Sequence, residues 1–336
     1  MATVNPVHPH PMRPRLVVTT ELTDHVMDRM RALFDVDINM SGKAMTRAEL
    51  ERAFAQADVI APTITDVIDA ALIASAGPNL KLIANFGVGV DHIDLPAARA
   101  RGIIVTNTPG VLTEDTADMA MALILSVPRR LGEGEKLIRQ GEWAGWKPSG
   151  MLGHRVNGKI LGIVGMGRIG RAVAMRAKGF GISTLYHNRH RLPEGVETEL
   201  GATFAPDLDI LLGKADIISI NCPHTNETHE LIDARRIALI QRHAYLVNTA
   251  RGEIVDEDAL IKALARGDIA GAGLDVYAHE PAVDPRLLTL PNVVLLPHMG
   301  SATYEGREAM GEKVIANIRA WVDGHRPPDQ VLEGWV

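Results

Sequence analysis

Short runs of apolar, β-branched residues alternate with stretches of helical period along nearly the whole chain. In its first third, Leu16-Val17-Val18-Thr19, Asp58-Val59-Ile60, Leu80 to Phe86 and Ile103-Ile104-Val105 read as strands. The amphipathic stretch from Leu22 to Phe34 reads as a helix between the first two. Leu112 to Leu131 reads as one long helix, opened by the cap-like Thr113-Glu114-Asp115 and interrupted by Pro128. A second series follows from Lys159, with strands at Ile160 to Val164, Ser183 to Tyr186, Asp216 to Ile220, Ala244 to Val247, Ala270 to Leu274 and Val293 to Leu296. A last helix runs around Glu305 to Val322.

Strands spaced by helices imply parallel βαβ units with helices on both faces of a sheet. The expected class is therefore α/β. A chain of 336 residues is too long for one core, since single cores stop growing near roughly 250–300 residues. Two doubly wound domains are expected, with a cleft between them. Residues 112–304 form the dinucleotide-binding one, and residues 15–111 with 305–336 the substrate one. The helix from Leu112 and the last helix are the two chain crossings, a hinge whose closure excludes water. Residues 1–14, with four prolines and no apolar core, read as a loose leader rather than a signal peptide.

Composition narrows the function classes. Hydrophobic content of 46% and charged content of 23% are those of a globular protein. A formal net charge of -6 argues against nucleic acid or an anionic membrane as partner. No apolar run approaches the roughly 18–20 residues of a membrane span. The single cysteine, Cys222, excludes an internal disulfide framework and reads as an inert small residue in a reducing, cytoplasmic setting. No metal ligand set is expected.

The chemistry begins at Gly165-Met166-Gly167-Arg168-Ile169-Gly170, which follows a strand and opens a helix. In that setting Gly165 allows the tight turn, Gly167 lets a pyrophosphate approach the backbone, and Gly170 lets helix and strand pack closely. The helix N-terminus supplies amide donors and a positive dipole end. About 20 residues on, an acid is expected to hold the ribose 2′-hydroxyl of NAD. The chain instead reads Asn188-Arg189-His190-Arg191, with no acid before Glu194. A carboxylate there would repel a 2′-phosphate, whereas Arg189 and Arg191 would pair with it. NADPH is expected as the preferred cofactor, with NADH possible.

Three later strand ends carry groups suited to a 2-oxo acid. Arg251 stands just beyond one strand, Asp275 and Glu280 beyond the next, and His298 beyond the last. Reduction needs a cation for the carboxylate, which a guanidinium fork supplies, and a proton donor for the carbonyl oxygen, which an imidazole supplies. Spacing alone leaves each open to a bland reading: a surface ion pair for Arg251, a turn residue for Glu280, an ordinary histidine for His298.

At these residues the chain resembles the D-isomer-specific 2-hydroxyacid dehydrogenases. The likeness runs from about Arg15 to the last helix through Asn85 to Asp94, the glycine turn, Asn248 to Gly252, Gly273 to Pro281 and Pro297 to Thr303. It implies a Rossmann-type dinucleotide domain and a flavodoxin-like substrate domain. Arg251 would bind substrate, His298 would be the general acid and Glu280 its partner. Val88 and Gly89 would offer amides to the substrate carboxylate, with Ser301 beside it. Asp275 would contact the nicotinamide carboxamide, while Thr116, Arg168, Ile169, Cys222, Pro223, Thr228, Thr249, Ala250 and Gly300 join the cofactor groove. A homodimer through the dinucleotide domain is implied.

Within the family, the Asn188 to Arg191 loop and the segment Gly141-Glu142-Trp143-Ala144-Gly145-Trp146-Lys147-Pro148 resemble the glyoxylate/hydroxypyruvate reductase branch. Trp146, rather than Trp143, is the expected contact to the partner subunit's substrate site. The alternative is that both tryptophans only anchor the dimer. Val90 departs from the tyrosine of many relatives. The expected activity is reduction of glyoxylate and hydroxypyruvate. Its rivals are a dehydrogenase of bulkier 2-oxo acids, a dinucleotide-sensing binding protein without turnover, and a dehydrogenase that oxidises a one-carbon or inorganic acid.

Overall fold

The structure, a computed structural model, describes residues 13–332. The leader expected over residues 1–14 thus lies outside the described residues except for Arg13 and Pro14. The described residues divide into two compact units, one holding those up to Leu112 and from Ala302 on, the other Thr113–Ser301.

The first unit is built on β1 (Arg15–Val18), β2 (Asp35–Ile38), β3 (Val59–Ala61), β4 (Leu82–Ala84) and β5 (Ile104–Thr106). They form one parallel sheet in the order β2-β1-β3-β4-β5, the flavodoxin-like winding. Successive strand residues enter opposite cores because side chains alternate across a sheet. Ile60 and Ile83 meet Phe54, Leu72 and Ile73 on one face. Val59 and Leu82 meet Val26, Met30 and Ile315 on the other. Ile315 lies on the last helix, Tyr304–Val322, which packs within this unit. Gly311 makes the approach possible, since a β-carbon there would lie 2.3 Å from Val26.

The second unit carries β6 (Ile160–Val164), β7 (Ser183–His187), β8 (Ala202–Phe204), β9 (Ile217–Ile220), β10 (Tyr245–Asn248), β11 (Gly271–Leu274) and β12 (Val293–Leu295). All are parallel, in the order β12-β11-β10-β9-β6-β7-β8. From β6 outward this is the dinucleotide-binding winding with one further strand, and the order reverses between β6 and β9.

The structure differs from the sequence reading at two edge strands and one helix. β2 and β8 are not among the strands read from the pattern. β2 alternates exposed with half-buried residues and β8 spans three residues, so neither carries an apolar run. The helix read from Leu112 to Leu131 ends at Ser126, and a separate one runs over Leu131–Arg139. Pro128 cannot donate to a helix, and Arg130 adopts the left-handed conformation at φ 54° between the two. No described helix is long and apolar enough to cross a membrane.

Candidate active site

The glycine turn stands between β6 and the helix Arg168–Gly179. Gly165 has φ +95°, and a β-carbon there would lie 2.5 Å from the Cys222 amide nitrogen, just past β9. The turn therefore sits where the strand order reverses, the place for ligands in such sheets. At Gly170 a β-carbon would lie 2.3 Å from the Gly165 carbonyl oxygen, so only glycine lets the helix approach the strand. Gly167 meets nothing within 4 Å, which leaves room for a ligand against the backbone. It caps the helix without a side-chain hydrogen bond, so the amides of Arg168 and Ile169 have no capping acceptor. Uncapped amides beside a bare glycine suit a diphosphate.

Asn188 directly follows β7, where an acid would stand in an NAD-specific chain, and its Nδ2 donates to the His190 carbonyl at 3.2 Å. Arg189 is exposed, and its charge reaches Glu227. Arg191, which the sequence reading also assigns to a 2′-phosphate, has a protein partner: its Nε and Nη2 donate to Glu197 at 3.0 and 2.8 Å.

The acid–base groups come from the loops after β10, β11 and β12. Asn248, buried at the end of β10, braces its loop by donating from Nδ2 to the Arg251 carbonyl (2.8 Å) and accepting from the Ala250 amide (3.0 Å). Arg251 donates from Nη1 to the Ala250 carbonyl at 2.8 Å. Gly252 packs against the Tyr277 backbone, where a β-carbon would lie 1.9 Å from its carbonyl carbon. That contact seats the Arg251 loop against the Glu280 loop.

His298 Nδ1 lies 2.7 Å from Glu280 Oε2, and Glu280 Oε1 accepts from the Tyr277 amide at 3.0 Å. Burial works to raise the Glu280 carboxyl. The His298 hydrogen bond and charge, the Tyr277 amide and the Arg251 charge outweigh it and hold the group below its usual range. Glu280 is thus ionised and can only accept, so the hydrogen of this contact sits on His298 Nδ1 and Nε2 is left outside it.

His298 itself has φ +52°, a left-handed conformation that a side chain rarely adopts. Asp275 holds it there. The His298 amide donates to the Asp275 carbonyl (2.9 Å), and the Met299 and Gly300 amides donate to its two carboxylate oxygens at 2.7 Å each. The resemblance aims Asp275 at the cofactor; in the structure its buried carboxylate braces the histidine loop. Burial pushes this carboxyl upward, against the pull of the Met299 amide and the His298 charge. Replacing Asp275 by Asn turns an amide donor toward another, and a buried unsatisfied group costs about 1–3 kcal/mol. We expect Asp275→Asn to lower kcat by about tenfold or more with a lower melting temperature. Turnover and melting both equal to wild type would remove this bracing role.

The remaining predicted cofactor residues gather on the same unit. A β-carbon on Gly300 would lie 3.5 Å from Thr116 Cγ2, so these two lie side by side with Asp275. Thr228 Oγ1 donates to the Pro223 carbonyl at 2.7 Å. Thr249 is buried, Ala250 half-buried, and burial pushes the Cys222 thiol up to about 11, away from nucleophilic use. Ser301 closes the unit. Trp143 and Trp146 are 57% and 81% exposed. In the first unit Val88 and Gly89 follow β4; their carbonyls accept from Asn107 and Asn85 side chains at 2.9 Å each.

Asn85, Asn107, Asn248, Glu197 and Tyr277 escape a reading by chemistry because they act through neighbours. The available signal is an asparagine directly after an apolar strand, where an amide side chain closes a turn.

Comparison with known proteins gives the same family. The model described as "D-isomer specific 2-hydroxyacid dehydrogenase, NAD binding domain" matches residues 121–300. A glyoxylate reductase of Thermococcus litoralis is 45% identical over 324 residues, 95% of this chain and 97% of its own. The structure of a glyoxylate reductase from Paecilomyes thermophila superposes with a TM-score of 0.85 at 34% identity, covering 96% of this chain and 99% of that one. An NADPH-dependent glyoxylate/hydroxypyruvate reductase from Sinorhizobium meliloti, solved with NADP and malonate, gives a TM-score of 0.84 at 38% identity, over 96% and 97%. With its winding, its glycine turn and its paired histidine and glutamate, this chain belongs to the D-isomer-specific 2-hydroxyacid dehydrogenases, enzymes that work with a nicotinamide dinucleotide.

Proposed function

We propose that the enzyme reduces glyoxylate and hydroxypyruvate to glycolate and D-glycerate, with NADPH preferred over NADH. The observation that carries the reading is the 2.7 Å pair of His298 and Glu280, with the charge of Arg251 reaching the same carboxylate. The names of the relatives support the substrate choice.

When bound, a nicotinamide dinucleotide would supply the hydride for the carbonyl carbon. Arg251 binds the substrate carboxylate and polarises the carbonyl through its fork. His298 donates the Nε2 proton to the oxygen that becomes the alcohol, and Glu280 stabilises the imidazolium and its orientation. The Val88 and Gly89 amides, whose carbonyls are already held, are further donors suited to a carboxylate. The uncapped amides that open Arg168–Gly179 would hold the diphosphate of the cofactor, and Arg189 with Asn188 would take a 2′-phosphate. Thr116, Cys222, Pro223, Thr228, Thr249, Ala250 and Gly300 shape the cofactor groove, and Ser301 stands beside the substrate carboxylate.

We assign the working form as a homodimer joined through the dinucleotide-binding unit. The helix Leu131–Arg139 buries none of its residues, and Leu131, Ile138, Trp143, Trp146 and Leu152 are exposed on one stretch of chain. Exposed apolar side chains gathered on one stretch of chain fit a subunit interface. Trp146, the more exposed tryptophan, is the one assigned to the partner's substrate site.

Oxidation of NADPH and NADH against a panel of 2-oxo acids tests the reading. We expect kcat/KM to be highest with glyoxylate or hydroxypyruvate and higher with NADPH. Faster turnover of phenylpyruvate would move the substrate to bulkier acids. Tight dinucleotide binding with negligible turnover would make the chain a sensor, and NAD⁺ reduction by formate or phosphite would reverse the assigned chemistry.

A further inference from the structure

The loop after β7 carries two arginines, and the fold treats them differently. Tyr186, wholly buried near the end of β7, donates its hydroxyl to Glu197 Oε1 at 2.6 Å and accepts from the Leu192 amide at 2.8 Å. Glu197 is only 8% exposed, on the helix Glu194–Leu200. Its Oε1 also takes Arg191 Nε (3.0 Å) and its Oε2 takes Arg191 Nη2 (2.8 Å). One face of the Arg191 fork and its full charge are therefore matched within the protein. Arg189, two residues earlier, is exposed and in no hydrogen bond or ion pair among the described residues.

The two hydrogen bonds to Arg191 and the one from Tyr186 hold the Glu197 carboxyl down to about 2 despite its burial, so it stays an anion throughout the working range. A buried carboxylate that never protonates is a permanent counter-charge. It sits beside the loop that meets the adenosine end of a dinucleotide.

We infer that Glu197, seated by Tyr186, is a specificity-determining residue that sequesters Arg191 and leaves Arg189 as the guanidinium available to a 2′-phosphate. The clamp limits the preference for NADPH, because it cancels one of the two positive charges a phosphate dianion would meet. It acts through Arg191 and touches neither substrate nor hydride. The inference rests on the proposed 2′-phosphate recognition by this loop, and its test separates the two.

Steady-state kcat and KM for NADPH and NADH are measured for wild type, Arg189→Ala, Arg191→Ala, Glu197→Gln and the double variant Glu197→Gln/Arg191→Ala. Arg189→Ala loses about ten- to a hundredfold in kcat/KM for NADPH, the worth of one charge-assisted hydrogen bond. Arg191→Ala loses less than about threefold, since its charge is already matched. Glu197→Gln, which keeps the shape and an acceptor for Tyr186, raises the NADPH-to-NADH ratio of kcat/KM by about three- to tenfold. That gain resides in KM for NADPH, shrinks as salt screens the loop, and vanishes in the double variant. A merely structural glutamate would move both cofactors alike and would not depend on Arg191.

Equal losses in Arg189→Ala and Arg191→Ala overturn the clamp, as does an unchanged or lower ratio in Glu197→Gln. Should Glu197→Gln melt too early to assay, the contrast between the two exposed arginines decides alone. A wild-type preference for NADH with no effect of Arg189→Ala overturns the 2′-phosphate reading instead, while the ratio in Glu197→Gln still reads the clamp.

Discussion

Replacing His298 by alanine lowers kcat for 2-oxo acid reduction by about 10²–10⁴-fold, the usual worth of a positioned general acid. The loss falls on kcat more than on KM, because the proton is given only as negative charge develops on the carbonyl oxygen. Position explains the size. The ring is held at 2.7 Å from Glu280 and its backbone is braced at φ +52° by Asp275, so the proton donor is fixed in place before the substrate arrives. Glu280→Gln keeps a hydrogen-bond acceptor for Nδ1 but removes the charge that favours the imidazolium, and it costs less than His298→Ala. Alanine at 298 inherits the same left-handed backbone, so melting curves run beside the kinetics separate chemistry from folding. Near-normal turnover by His298→Ala with an intact fold would remove His298 from the mechanism.

Arg251→Ala is expected to lower kcat/KM by about 10²–10⁴-fold, from two charge-assisted hydrogen bonds at roughly 1.5–3 kcal/mol each. Both kcat and KM suffer, since the fork binds the carboxylate in the ground state and polarises the carbonyl as charge builds. Lysine does not restore the activity, because a point charge on a flexible stem lacks the planar pair of donors. The cation also helps hold the Glu280 carboxyl low, so its loss raises that group and weakens the support of His298. Measured kcat/KM within about threefold of wild type in Arg251→Lys would show that the site needs charge only and not a fork.

Some of this protein stands in its sequence because the governing interactions are local. Apolar runs such as Ile160 to Val164 and Asp216 to Ile220 declare strands, their spacing by helices declares parallel winding, and Gly165 to Gly170 declares a strand-to-helix turn through backbone needs alone. Edge strands such as β2 and β8 escape because β2 alternates exposed with half-buried residues, β8 spans only three, and no apolar run marks either.

What only the tertiary structure decided are pairings between groups far apart in the chain. His298 and Glu280 are 18 residues apart, and nothing in that spacing distinguishes a catalytic pair from a surface histidine and a turn glutamate. They meet because β11 and β12 end side by side and because Gly252 lets the Arg251 loop press against Tyr277. Asp275 stands in the sequence as a carboxylate past a strand, but its two oxygens reach the Met299 and Gly300 amides only after the sheet has formed. Arg189 and Arg191 are equivalent as letters; the buried Tyr186 and Glu197 make Arg191 a matched ion, while Arg189 is in no ion pair among the described residues. Local propensity writes the elements and the turn, whereas charge partners are set by which loop ends the sheet brings within hydrogen-bond distance.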